Sequence, residues 1–324
     1  MPSARLVAII NSYNRLPLLQ VGLPSLLAAL KQCPFSTAVV IFDAGSTDGT
    51  LDWLEGIRAS CQTIPLEVIS PAAGQDSSFS AGVNRACLHA IAAYQDVELF
   101  FLFETDNWIE SAAPILLAKD LLDRNSKLAA AGFTISLHDG KKIGFGCPFP
   151  TPFTFLLGQQ LTLIFHLEDR LSSVWTAFEN SRWAMCDIVF TSPLLIKRTA
   201  WEESGGMDNR AFPFTDCDAD WCWRVKKLGK GIAVLAADGV VHDNKGLWSQ
   251  WSAKRVLDYH RARLTLLRTH TQKSLSWLKP LLFLRHSLEL MLLLLALPLS
   301  EKAATSIKKR WLLLTSVFND YSTH

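Results

Sequence analysis

A run of apolar residues, Leu99-Phe100-Phe101-Leu102-Phe103, leads directly into Glu104-Thr105-Asp106-Asn107. Two carboxylates spaced i, i+2 at the end of a hydrophobic strand are costly unless positive charge meets them. Hard carboxylate oxygens suit Mg²⁺ or Mn²⁺, and nucleotide phosphates commonly complete the shell of such a cation. A polar turn closing a strand would use the same residues, so the pair gains meaning from its company. Two further polar clusters, Asn11-Ser12-Tyr13-Asn14-Arg15 and Asp43-Ala44-Gly45-Ser46-Thr47-Asp48-Gly49-Thr50, also follow apolar runs. Further along, Cys217-Asp218-Ala219-Asp220 opens a helical pattern. A carboxylate there can take a proton from an attacking hydroxyl or simply cap the helix 219–228. Asp220 and Arg224, four apart, are expected to pair structurally.

The elements that must hold these residues alternate. Strands are predicted at Leu6–Ile10, Ala38–Phe42, Leu66–Ile69 and Leu99–Phe103, with helices near Leu16–Lys31, Thr50–Ala59 and Ser80–Tyr94. Such alternation implies a mostly parallel sheet covered on both faces, with ligands gathering at the carboxyl ends of the strands. The polar clusters fall at those ends. No GxGxxG follows the first strand, so the dinucleotide-binding fingerprint is absent. His138-Asp139-Gly140-Lys141 reads as a hairpin turn, and an irregular segment is expected from the Pro- and Phe-rich stretch 148–156 through Trp183. Order returns over Asp187–Ile196.

Taken in order, these clusters resemble the loops of family-2-type inverting glycosyltransferases with the GT-A fold. Gly82-Val83-Asn84-Arg85-Ala86 is similar to that family's donor-approaching Gly-x-Asn-x-Gly/Ala element, and Glu104-Thr105-Asp106 occupies its DxD position. Gly205-Gly206-Met207-Asp208, Phe212 and Cys217 to Arg224 resemble its GGFD…F…EDxDLCWR block, and Val240-Val241-His242 its strand ending in a metal-ligand histidine. Tyr259-His260-Arg261-Ala262-Arg263 with Arg268-Thr269-His270 resembles a segment of rhamnosyltransferase-like members. The likeness spans about residues 5–270. It departs at Glu104, which replaces an Asp, and at Cys217, which replaces the acid of the ED pair.

The resemblance implies an α/β GT-A fold, a Rossmann-like, mostly parallel sheet flanked by helices, to which the composition of the tail adds a helical, membrane-seeking C-terminal extension. It implies a catalytic domain over 1–243, with a nucleotide-binding half (1–110) and an acceptor half (111–243), followed by the extension 244–324. Ser12, Tyr13, Asn14, Arg15, Asp43, Ser46, Asp48, Gly82, Asn84, Arg85, Glu104 and Thr105 would bind the nucleotide-diphosphate sugar. Asp106 and His242 would hold a divalent cation, Mn²⁺ or Mg²⁺, and Asp218 would be the general base. Trp183 and Trp248 are candidates for stacking on the acceptor, a lipid-linked or cell-surface glycan. The reaction implied is hexosyl or deoxyhexosyl transfer to a hydroxyl. A catalytically degenerate nucleotide-sugar binder or scaffold of a glycan assembly is the alternative that Cys217 suggests. A nucleotidyltransferase would want a Gly- and basic-rich phosphate loop after the first strand, which Asn11–Arg15 is not.

Composition adds a charge asymmetry. Residues 1–243 carry 19 Lys and Arg against 26 Asp and Glu, whereas residues 244–324 carry 13 against 4, a basic tail of net +9. The total of +2 gives no indication of a nucleic-acid partner. Seven scattered cysteines without a CxxC pair argue for a reducing compartment over a disulfide framework or zinc site. The first residues lack the pattern of a signal peptide. Leu288–Leu299 is apolar but shorter than the roughly 20 residues a spanning helix needs. Residues 277–318 are therefore expected to lie in the membrane interface, with an oligomer contact as the alternative. A cytoplasmic protein peripheral to the inner face of the membrane is the resulting expectation.

Overall fold

The computed structural model describes residues 1–61, 63–136, 142–143, 146–165, 167, 174–242, 251–271, 274–296 and 301–320. The chain divides into two compact units, one formed by Met1–Phe149 with Arg170–Asn244 and the other by Pro150–Asp169 with Lys245–His324.

The first unit opens with the alternation read from the sequence: β1 (Leu6–Ser12), α1 (Leu16–Leu30), β2 (Thr37–Asp43), α2 (Thr50–Ser60), β3 (Leu66–Ile69), α3 (Phe79–Ala93) and β4 (Leu99–Leu102). It continues through β5 (Asn107–Ile109), α4 (Ala113–Arg124), β6 (Leu128–Phe133), β7 (Ile135–Ser136), β8 (Lys142–Ile143) and β9 (Gly146–Cys147). In the second unit α5 spans Pro152–Ile164. The first unit is completed by β10 (Thr176–Phe178), β11 (Ser181–Cys186), β12 (Ile188–Val189), β13 (Leu194–Lys197), α6 (Arg198–Ser204), α7 (Cys217–Lys227), β14 (Gly231–Leu235) and β15 (Val240–His242). The second unit ends with α8 (Ala253–Thr271), α9 (Leu278–Ala296) and α10 (Glu301–Asp320).

Nine strands form one mixed sheet in the order β10-β11-β14-β6-β13-β4-β1-β2-β3. The parallel arrangement expected from the alternation holds across β4-β1-β2-β3. Beyond it β13 inserts antiparallel between β4 and β6. The order reverses at β1, whose two neighbours are β2 and β4, and a parallel sheet opens a ligand crevice at such a switch point. β1, β2 and β4 are buried along almost their whole length, as strands covered on both faces must be. Phe101 packs against both Phe103 and Phe133, with centroids 5.7 and 6.3 Å apart. Losing such a buried ring costs about 3–5 kcal/mol. A second, four-stranded sheet, β5-β15-β7-β8, carries the strand that follows Asp106.

Two expectations need correction. The segment expected to be irregular up to Trp183 contains α5, the edge strand β10 and the start of its neighbour β11. α5 is apolar without a clear stripe and is interrupted at Gly158, where φ is 73°. Its Phe155 and Leu156 pack against a core of Leu264, Leu267, Leu275, Leu278, Leu282 and Val317. That core lies about a hundred residues further along, so no local pattern announces the helix. The second correction concerns α7, which starts at Cys217, so Asp218 lies inside the first turn and is not its N-cap. The strands flanking the expected hairpin pair antiparallel, Ile135 with Ile143. Its turn residues 138–141 lie outside the described residues.

Candidate active site

The carboxyl ends of β1, β2 and β4 lie side by side, with Ser12 registered against Asp43 and Ile9 against Leu102. The first two loops are tied to each other. Asp43 Oδ1 accepts from the Gly45 and Ser46 backbone N–H groups at 3.0 and 2.7 Å, and its Oδ2 from Ser46 Oγ at 2.7 Å. Ser46 Oγ also accepts from the Asn14 N–H at 2.9 Å, while Asn14 Oδ1 accepts from the Thr47 N–H at 2.7 Å. Asp48 accepts from Thr50 Oγ1 at 2.5 Å and from the Leu16 N–H at 3.0 Å, and these bonds hold its carboxyl below the usual range. Thus Asp43, Ser46, Asp48 and Asn14 shape the loops. Tyr13 is exposed, and Ser12 Oγ is buried with no hydrogen-bond partner.

On α3, Gly82 and Asn84 make contacts to the protein itself. A Cβ at Gly82 would stand 2.5 Å from Phe42 Cδ1 and from Asn11 Nδ2, so glycine lets the helix lie directly on the sheet. The Asn84 amide grips the Met207 backbone, donating to its carbonyl at 2.8 Å and accepting from its N–H at 2.9 Å. Arg85 differs: its guanidinium stands 5.8 Å from the Phe42 ring centroid, and Nη1 is buried without a hydrogen-bond acceptor. Asp76 is held below the usual range chiefly by the Ser78 N–H and Asn209, with a smaller contribution from Arg85.

The loop after β4 is fixed from two sides. At Gly22 of α1 a Cβ would stand 2.7 Å from the Asn107 carbonyl oxygen, so the helix abuts the loop backbone. The Thr191 hydroxyl donates to Glu104 Oε1. Burial, then the neighbouring Asp106 carboxylate, raises the pKa of Glu104. Thr105 is buried. β15 runs antiparallel to β5 with His242 opposite Asn107, and this register carries the imidazole to the loop. His242 Nδ1 lies 3.0 Å from Asn107 Oδ1 and 3.4 Å from Asp106 Oδ1.

Asp106 Oδ1 is buried and accepts no hydrogen bond, with His242 Nδ1 as its neighbour at 3.4 Å, which fits an oxygen able to share a cation with the imidazole. No group of three or more metal-binding side chains occurs among the described residues. A cation here would take Asp106 and His242 from the protein and the rest of its shell from phosphate and water, as Mg²⁺ commonly does.

Asp218 is half-buried at the start of α7. The buried thiol beside it, Cys217, has its pKa pushed up by burial and then by Asp218, with a further contribution from Glu104. Asp220 is buried and pairs with Arg224 at 2.8 Å, as its spacing predicts; Arg224 also donates to the Ser204 and Gly206 carbonyls. Trp183 is partly buried and packs against the main core from β11. Trp248 lies outside the described residues. Sequence reasoning did not single out Thr191, Asn107 or the Asp76–Asn209 bond of 2.9 Å, because each acts on a residue distant in the chain.

Neither a protein-family model nor a curated protein sequence matches the chain. Solved structures do. The mannosyltransferase PcManGT from Pyrobaculum calidifontis, in complex with GDP-Man and Mn²⁺, is 15% identical, with a TM-score of 0.54 over 99% of this chain and 88% of that one. S. aureus TarS 1–349 in complex with UDP-GlcNAc is 15% identical, with a TM-score of 0.52 over 98% and 80%. TarS 1–349 alone gives 13% and 0.51 over 98% and 92%. At such identities the likeness is one of fold: the chain has the fold of these glycosyltransferases, in agreement with the GT-A architecture that the motif series implies.

Proposed function

We propose that the first unit is an inverting glycosyltransferase that moves a sugar from a nucleotide-diphosphate donor to an acceptor hydroxyl. The observation that carries this reading is the buried Asp106 Oδ1, which accepts no hydrogen bond, beside His242, at the carboxyl ends of parallel strands in a glycosyltransferase fold. The donor's nucleotide would sit over the loops 11–15 and 43–50, which are already braced by Asp43, Asn14 and Asp48. Arg85, with its unpaired buried Nη1, is suited to a donor phosphate oxygen. A divalent cation held by Asp106 and His242 would neutralise the charge that develops on the departing diphosphate.

The protein's own part in the step falls to Asp218. As the acceptor oxygen bonds to the anomeric carbon, the carbon–oxygen bond to the diphosphate breaks and its electron pair leaves with that group. The acceptor's proton passes to the Asp218 carboxylate. One displacement inverts the anomeric centre. Asp220 is paired with Arg224 and does not compete for the proton.

A lipid-linked or cell-surface glycan is the acceptor class we assign, and the segment Tyr259–His270 inclines the sugar towards a deoxyhexose. A panel of nucleotide sugars with Mn²⁺ or Mg²⁺, read by thermal shift and then by nucleotide release, tests the reading. A ligand of the native state raises apparent stability by mass action. Binding with no acceptor-dependent nucleotide release would favour the degenerate binder that Cys217 leaves as the second reading.

A further inference from the structure

Helix α9 carries an exposed apolar face and turns charged side chains inward. A helix packed on a water-soluble protein turns charge outward and leucine inward. Here Arg285, His286 and Glu289 share the inward side with the buried Leu278 and Leu282, whereas Leu284, Leu288, Met291, Leu292 and Leu295 are exposed, as is Trp277 just before the helix. The inward charges pair within the helical unit, while His286 Nε2 is buried without a hydrogen-bond partner. Arg285 bonds Glu289 at 3.1 Å and donates to the Phe155 and Leu156 carbonyls of α5 at 3.2 and 2.8 Å. Arg310 of α10 reaches Glu289 at 2.7 Å. Charges paired inward with leucines outward is the arrangement expected of a helix whose solvent is hydrocarbon.

We propose that this face of α9 docks on an anionic membrane, lying in the plane of the interface. No helix among the described residues is long and apolar enough to cross a bilayer, which leaves the interfacial position. The exposed apolar residues occupy roughly half the circumference at about 3.6 residues per turn, wider than the narrow seam a partner helix fills. The net charge of +9 over 244–324, with Lys308 exposed on α10, complements acidic headgroups. Trp277, at the start of the face, suits the headgroup boundary. The proposal stands on the helical unit alone and does not depend on the transfer reading.

The test uses the full chain with phosphatidylcholine vesicles, with and without phosphatidylserine. The expected result is flotation with the anionic vesicles, weakened by salt and lowered about tenfold or more in the double variant Leu288→Glu, Leu292→Glu. Quenching of tryptophan fluorescence by brominated lipid, reduced in Trp277→Phe, reads insertion in a chain whose core is untouched. Failure of the wild-type chain to float overturns the proposal, and so does undiminished flotation of the double variant. A sedimenting dimer that the double variant dissociates, with no flotation, would assign the face to a second copy. Nucleotide-sugar binding, measured on the same samples, reports separately on the transfer reading.

Discussion

His242 Nδ1 stands 3.4 Å from Asp106 Oδ1 because the antiparallel pairing of β15 with β5 places His242 opposite Asn107. The two side chains come from distant parts of the chain and meet over a loop that α1 supports from behind. Asn107, within 3.0 Å of the same imidazole nitrogen, sets the orientation of the ring.

If this pair holds a cation, Asp106→Ala should abolish turnover and weaken nucleotide binding in Mn²⁺ far more than in EDTA. Asn107→Ala, which only releases His242, should cost roughly 10–100-fold in metal affinity. Glu104→Ala should be the milder of the carboxylate variants, since Glu104 already accepts from Thr191. Isothermal titration of nucleotide with and without metal separates the three. Equal affinities in Mn²⁺ and EDTA for wild type would remove the cation from the reading.

Asp218→Asn keeps size and polarity but cannot take a proton, so transfer should fall by roughly 10²–10⁴ with donor affinity unchanged. Asp220→Asn is the contrast. It breaks a buried pair with Arg224 and should cost about 3–5 kcal/mol of stability, with the rate per folded molecule largely kept. Steady-state rates beside denaturant titrations distinguish the two. The reverse pattern would mean that the base lies at 220.

Gly82→Ala should destabilise by about 1–3 kcal/mol, since the added Cβ meets Phe42 and Asn11 at 2.5 Å. A lowered Tm accompanied by weaker donor binding is expected, because Asn11 and Phe42 end the strands that carry the loops. An unchanged Tm would show that α3 can shift away from the sheet.

The helical unit should lose stability in acid. Burial, and then the neighbouring His286 and the arginines 285, 310 and 261, depress the pKa of His260 to about 3 from 6.5. The unfolded chain therefore binds a proton that the folded one refuses, and stability falls as pH drops from about 6.5 towards 3. Burial would raise Glu289, but His286, Arg285 and Arg310 outweigh it and hold the carboxyl at about 2. Its stabilisation is present above about 4.5 and is lost below, in the same direction. Denaturation followed across this range should show His260→Phe flattening the upper part of the slope. A slope unaffected by the variant would place its origin in other groups.

The alternation of apolar runs and amphipathic stretches by itself determined β1 to β4 and α1 to α3 almost to the residue, because those elements are driven by local pattern and capped by local turns. The clusters at 11–15, 43–50 and 104–106 were legible for the same reason: parallel strands must end in loops on one edge. The tertiary structure decided what each polar residue does. Asp43, Asp48, Gly82 and Asn84, which the sequence offers as donor-binding residues, also make contacts within the protein's own loops and helices. The partners that show this, Ser46, Leu16, Phe42 and Met207, are identified only once the chain has folded. The approach of His242 to Asp106 rests on strand register, and the helix at 152–164 on a core contributed from beyond residue 260. The exposed apolar face of α9 is likewise invisible in a leucine-rich string, since only packing reveals which side faces in.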